Sequence, residues 1–261
     1  EDLRHPLEAY VEHLDEVVFQ EQLGTMRSKT DRVARLAEKL CIDADVEASI
    51  TQDVARAALL SKADLVTNAV IEFTSVQGIM GSYYAIESGE SERVAQAIAE
   101  HYRPRFAGDE PPKDIVGKFV AAADKLDTVC GLFAVDQAPT GSSDPFALRR
   151  AALGIISILQ SGLDISLERA IDDALSIYQE SDLEFDREKT RAEVLEFFIT
   201  RCRVMLHDQG MPLDAIDAVL AAGVLEPVTI IERVAALQHA RSESADTFDD
   251  LATAYGRANN L

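Results

Sequence analysis

Residues 57–70 read AALLSKADLVTNAV: an apolar run closing on Leu59-Leu60, a polar pair, and a second apolar step at Leu65-Val66. Apolar residues recur here and just upstream in steps of three and four, with Ile50, Val54, Ala57, Ala58 and Leu60 sharing a face, which is the spacing of a helix and not of a strand. One helix is expected from about Asp45 through Val70. Lys62 and Asp64 lie inside this apolar setting, and what they do there decides how the stretch is read.

The same periodicity runs outward in both directions. Val33, Leu36, Ala37 and Leu40 predict a helix over 27–40, and Ile115, Val116, Phe119, Val120, Ala123, Leu126 and Cys130 predict a second with a broad apolar face from about Asp114. QAPTGSSDP (137–145) is dense in turn formers; Asp144 suits an N-cap and Pro145 the first helical position of FALRRAALGIISIL. Further helices are expected near 166–179, 187–208, 212–221, 227–240 and 244–258. The fold class is all-α: a helical domain over 1–160, then a second helical domain over 161–261.

With 261 residues, 47% hydrophobic and 27% charged, the chain can bury a sizeable core. Its first residue is Glu rather than Met, so a fragment is expected. No apolar stretch reaches the roughly 18–20 residues that span a bilayer. Cys41, Cys130 and Cys202 are far apart on apolar faces and read as buried thiols of a reducing cytoplasm. The formal net charge of −21 argues against a broad surface tracking nucleic acid, because phosphate affinity comes mainly from Lys and Arg.

An apolar helix, a polar pair and Leu-Val resemble the way HD-family metal-dependent phosphohydrolases present their His-Asp ligands. That chemistry needs imidazoles and carboxylates around divalent metal. The histidines are missing here. Lys29 stands in KTDRVA where the first ligand belongs, and the pair is Ser61-Lys62 or Ala63-Asp64, while ADKLD retains the late carboxylates Asp124 and Asp127. An ammonium has three donors and no acceptor, so Lys29, Ala63, Asp64 and Asp124 mark degenerate positions, and no metal is expected. A lysine in place of a ligand can instead hold the same carboxylates together, with Asp64 and Asp124 ion-paired to Lys29, Lys62 or Lys125. The histidines, His5, His13, His101, His207 and His239, fall at no motif position. GIMGS (78–82) is preceded by no strand and reads as a close joint between helices.

Several ordered segments resemble the β subunit of bacterial tetrameric glycyl-tRNA synthetase. VVFQEQLGTMRSKTDRVARLA (17–37) carries Phe19, Gln20, Leu23, Gly24, Lys29 and Arg32 of that family's stretch; KADLVTNAVIEFTSVQGIMGSYYA (62–85), HYRPRFAGDEPP (101–112), ADKLDTVCGLF (123–133) and PTGSSDPFALRRAALGII (139–156) follow in order, with LATAYGRANNL (251–261) a looser match. Val76, Ser82 and Gly256 depart from the family pattern. The resemblance implies an HD-like domain without histidine ligands that serves as the tRNA-binding and assembly part of the β subunit. Catalysis, with ATP, glycine and Mg, belongs by this resemblance to a partner α subunit in a cytoplasmic α2β2 heterotetramer, and no active site or cofactor is expected in this chain. Neither membrane nor DNA is an expected partner.

If tRNA(Gly) docks here, the candidate cations are Arg149, Arg150, Arg103, Arg105 and Lys62. RNA helices are recognised through shape, phosphates and 2′-hydroxyls, and Arg suits bidentate phosphate contact. Adjacent Arg149 and Arg150 point about 100° apart on a helix, so one is expected to face outward and one to pair internally. Tyr83 and Tyr84 could stack on a base, although tyrosines at this spacing are more often core. The rival readings are an active HD phosphohydrolase and a plain helical interaction module, the latter favoured by the acidic charge.

Overall fold

The computed structural model describes residues 2–181, 183–243 and 253. They are helical apart from turns, short 3-10 segments and one small antiparallel hairpin, β1 (Val18–Gln20) with β2 (Gly24–Thr25). The expected segments near 244–258 and 251–261 lie outside the described residues, Thr253 excepted.

The helices are α1 (Met26–Asp43), α2 (Ala48–Leu60), α3 (Asn68–Glu72), α4 (Ile79–Glu87), α5 (Glu92–Glu100), α6 (Ile115–Ala134), α7 (Leu148–Gln160), α8 (Leu167–Glu180), α9 (Arg187–Asp208), α10 (Leu213–Ala221) and α11 (Pro227–Glu243). The chain divides into two compact units, one reaching to Phe197 and one beginning at Phe198. The division falls inside α9, and α8 packs on α1 and α6. Position 161, where the sequence suggested a soft boundary, therefore lies within the first unit.

The first unit is built around α6. Asp114 caps it by accepting from the Val116 amide at 3.0 Å, and nearly every side chain from Val116 to Ala134 is buried. A helix apolar all round must be wrapped by others, and α1, α2, α5, α7 and α8 do this. Gly131 lets α8 approach: a Cβ there would overlap the Tyr178 hydroxyl, which donates to the Asp127 carbonyl at 3.0 Å. In the second unit α10 packs on α11, and Arg203 pairs with Asp217 at 2.7 Å.

Two expected elements differ. The helix expected over 45–70 breaks after Leu60 and continues as a 3-10 turn, Ala63–Val66, then α3. Ser61 Oγ donates to the Ala58 carbonyl at 2.9 Å and Thr67 Oγ1 to the Asp64 carbonyl at 2.7 Å, and such side-chain bonds compete with the helical ladder. The helix expected from Pro145 begins instead at Leu148, after Ala147 in the left-handed region (φ 55°). Asp144 still satisfies its start, accepting from the Leu148 and Arg149 amides at 2.8 and 3.0 Å. Cys41, Cys130 and Cys202 are free buried thiols.

Candidate functional site: a buried ammonium cluster beneath an arginine-rimmed cleft

The buried middle of α6 carries two carboxylates, Asp124 and Asp127, and each is answered by cations from other elements. The Lys29 ammonium, from α1, lies 3.0 Å from both Asp124 Oδ1 and Asp127 Oδ2 and donates to Thr128 Oγ1 at 2.8 Å. Asp124 Oδ1 is close to that ammonium but off line for a hydrogen bond. The Lys62 ammonium, just past α2, donates to Asp124 Oδ2 at 2.9 Å. Arg32 donates from Nε to Asp127 Oδ1 at 2.8 Å and from Nη1 to the Leu23 carbonyl at 2.9 Å, stacking over the Tyr178 ring at 4.6 Å. Burial pushes the Asp124 carboxyl up, but Lys29 and Lys62 outweigh it and hold the group well below the usual carboxylate range.

His101 completes the cluster. Its Nε2 lies 2.8 Å from Lys62 Nζ and its Nδ1 2.6 Å from the Ile98 carbonyl. An ammonium only donates, so Nε2 accepts and the proton sits on Nδ1. Burial, then the neighbouring Lys62 charge, holds this imidazole neutral, with its pKa well below the ordinary histidine value. Sequence reasoning placed His101 at no motif position; the structure puts it in the cluster. A signal was present, because His101 continues the buried stripe of Val94, Ala97 and Ile98 on α5.

Asp64 corrects another expectation. Its carboxylate is paired with no cation among the described residues. Oδ2 accepts from the backbone amides of Gly78 and Gly81 at 2.6 and 2.9 Å, at the positive end of α4. Gly78 has φ 78°, and a Cβ on Gly81 would lie 3.0 Å from Asp64 Oδ2. The two glycines of GIMGS do permit close approach, and what approaches is a carboxylate. Ala63 is fully buried beside it.

No donor set for a metal forms among Lys29, Ala63, Asp64 and Asp124. Asp124 is already met by two ammonium groups, which have no lone pair to offer an ion. Among the described residues no group of three His, Cys, Asp or Glu side chains could hold one.

Above the cluster lies a cleft of about 400 Å³ whose lining includes Asp124, Lys125, Tyr102, Arg105, Phe146 and Arg150. Lys125 is buried; its ammonium donates to the His101 and Arg103 carbonyls at 3.2 and 2.7 Å. Burial pulls its pKa down to about 7. Arg103 and Arg105 together line an adjoining depression along α4 and α5.

The expected RNA-facing cations thus separate. Arg150 is exposed, lines the cleft and has no partner among the described residues. Arg149 turns back, donating to the Gly141 carbonyl at 2.7 Å. Arg105 is exposed and loosely paired with Asp109 at 3.5 Å. Lys62 is 3% exposed and engaged by Asp124 and His101, so it is removed from the surface set. Tyr84 is buried, its hydroxyl on Asp2 at 3.0 Å, whereas Tyr83 is exposed.

Similar proteins are subunits of aminoacyl-tRNA synthetases. A family model described as glycyl-tRNA synthetase beta subunit matches residues 1–221, and the chain belongs to that family. It is 43% identical over 263 residues to the glycine–tRNA ligase beta subunit of Desulforamulus reducens, which covers 100% of this chain and 38% of the relative. It is 42% identical to that of Haemophilus influenzae (100% and 37%) and 44% identical to that of Actinobacillus pleuropneumoniae (100% and 37%). The chain thus spans under two-fifths of the length of these curated relatives. Among the described residues no helix is long and apolar enough to cross a membrane.

Proposed function

We propose that this chain is the tRNA-docking and assembly part of a glycyl-tRNA synthetase β subunit. It supports ATP-dependent attachment of glycine to tRNA(Gly) in a cytoplasmic α2β2 assembly, with ATP, glycine, Mg and the chemistry on the α subunit. Family membership supports the reaction. The ammonium cluster supports an HD-like scaffold that has exchanged metal for fixed positive charge: a lysine lies at the first ligand position, and no step of metal-assisted hydrolysis is assigned to it.

The observation that carries the RNA reading is the arginine rim. On a chain of net charge −21, Arg150, which has no partner among the described residues, and a loosely paired Arg105 flank one cleft above buried cations. Such a local positive region is what phosphate recognition requires.

The test uses tRNA(Gly) affinity measured against salt for Arg150→Ala, Arg105→Ala and Arg149→Ala. Loss of Arg150 is expected to weaken binding and lower the salt slope by about one unit, Arg105 to act in the same direction, and Arg149 to leave the slope unchanged. Equal slopes in wild type and all three variants would remove this face as an RNA contact. That result would favour the interaction-module reading, which the acidic surface otherwise supports.

A further inference from the structure

The cleft can do more than touch backbone. We propose that it is a binding site for one nucleotide, taking a phosphate on its cationic side and a flat ring against Phe146. The inference rests on the RNA-docking reading and gives it a ligand class.

Charge is the first argument. The cluster beneath the cleft holds four cations, Lys29, Arg32, Lys62 and Lys125, against two carboxylates, Asp124 and Asp127. His101 is neutral, so Lys29, Arg32 and Lys62 already outnumber the two carboxylates, and a protonated Lys125 adds to that positive excess. Low-dielectric walls focus such a field toward the open side. Arg105 and Arg150 stand at that opening. Asp124 does not repel an incoming anion, because two ammonium groups already neutralise it.

Shape and chemistry of the walls supply the second. Phe146 is 37% exposed and Ile79 45% exposed, and both line the cleft. An exposed aromatic ring beside an arginine is a platform on which any base can stack. Gln77 and Ser75 line the same cleft with no side-chain partner among the described residues; their amide and hydroxyl offer donors and acceptors to a base edge. A cleft of about 400 Å³ falls in the range of small-ligand sites, roughly 300–1,000 Å³.

Such a nucleotide has two sources: an unpaired residue of an RNA, or a free mononucleotide. The experiment measures binding of three probes to the purified chain: a six-nucleotide single-stranded RNA, a blunt RNA hairpin closed by a stable loop, and the four 5′-mononucleotides. Each is titrated against wild type, Phe146→Ala and Arg150→Ala, with melting curves as a fold check. Stronger binding of the single strand than of the hairpin stem is expected. Phe146→Ala should lower single-strand affinity roughly 5- to 100-fold with no change in salt slope, and Arg150→Ala should lower the slope.

If mononucleotides bind with the same sensitivity and the single strand does not, the cleft is a nucleotide site and the RNA-docking reading falls. If single strand and hairpin bind alike and Phe146→Ala changes nothing, ring insertion is overturned while phosphate docking stands. If no probe binds wild type, both are overturned.

Discussion

Two kinds of ion pair share this molecule, and they do different work. Around α6, Lys29, Lys62, Arg32, Asp124 and Asp127 are buried, bonded between segments far apart in sequence. In the second unit Arg203 and Asp217 meet at 2.7 Å with both side chains 40% exposed or more. Water already solvates the second pair, so its loss is cheap. The first cannot lose a carboxylate without leaving a buried cation unanswered. The buried set fixes how α1, α2 and α6 meet; the exposed pair decorates a surface.

The largest break should come from Asp127→Ala. It strips Arg32 of its carboxylate and leaves Lys29 with Asp124 alone, and about 3–5 kcal/mol of stability should be lost, read as a fall in the denaturant midpoint with the m-value unchanged. Gly131→Ala keeps every charge but drives a methyl group into the Tyr178 hydroxyl. Overpacking of this kind costs about 1–3 kcal/mol, and chemical denaturation should place the variant between the first case and wild type.

Acid sharpens the comparison without a mutation. His101 has its folded pKa depressed by burial and by Lys62, so below its ordinary value the unfolded chain takes up a proton that the folded chain refuses. Stability should therefore fall as pH drops below about 6.5, and His101→Gln should flatten that part of the melting profile. Asp124, also depressed, contributes stability that is present above about 3.9 and lost as pH falls toward its lower folded value, a second and more acid loss that His101→Gln should leave in place. Arg203→Ala marks the other end of the scale: its melting temperature should match wild type at moderate salt. A large fall there would mean that exposure does not separate the two kinds of pair.

Much of this was legible from spacing. α1, α6, α9 and α11 follow the helical period, with caps or turn formers at their edges, and local pattern suffices to place them. The break after Leu60 was not legible. Ser61 and Lys62 are compatible with a helix; that Ser61 turns back on the Ala58 carbonyl while Lys62 reaches Asp124, 62 residues away, is decided by tertiary packing. The same holds for Asp64, whose bond to the Gly78 and Gly81 amides is set by tertiary packing. That lysines could hold the late carboxylates was readable from KTDRVA, SKAD and ADKLD, and Lys29 and Lys62 do grip Asp124. Which cations stay outside could not be read, because Lys62 and Arg150 look alike in sequence and differ only in burial.

The seat of Asp64 has its own consequence. Its carboxylate pins the start of α4 from within, and Gln77 and Ile79, beside that start, form part of the cleft lining. This wall is therefore stiff before any guest arrives: capture does not wait for a loop to close, and little flexibility remains to be surrendered on contact. A D-alanine introduced at position 78 by chemical synthesis should preserve that stiffness, since it favours the backbone angle Gly78 adopts, whereas L-alanine there should slow capture by letting the wall sag.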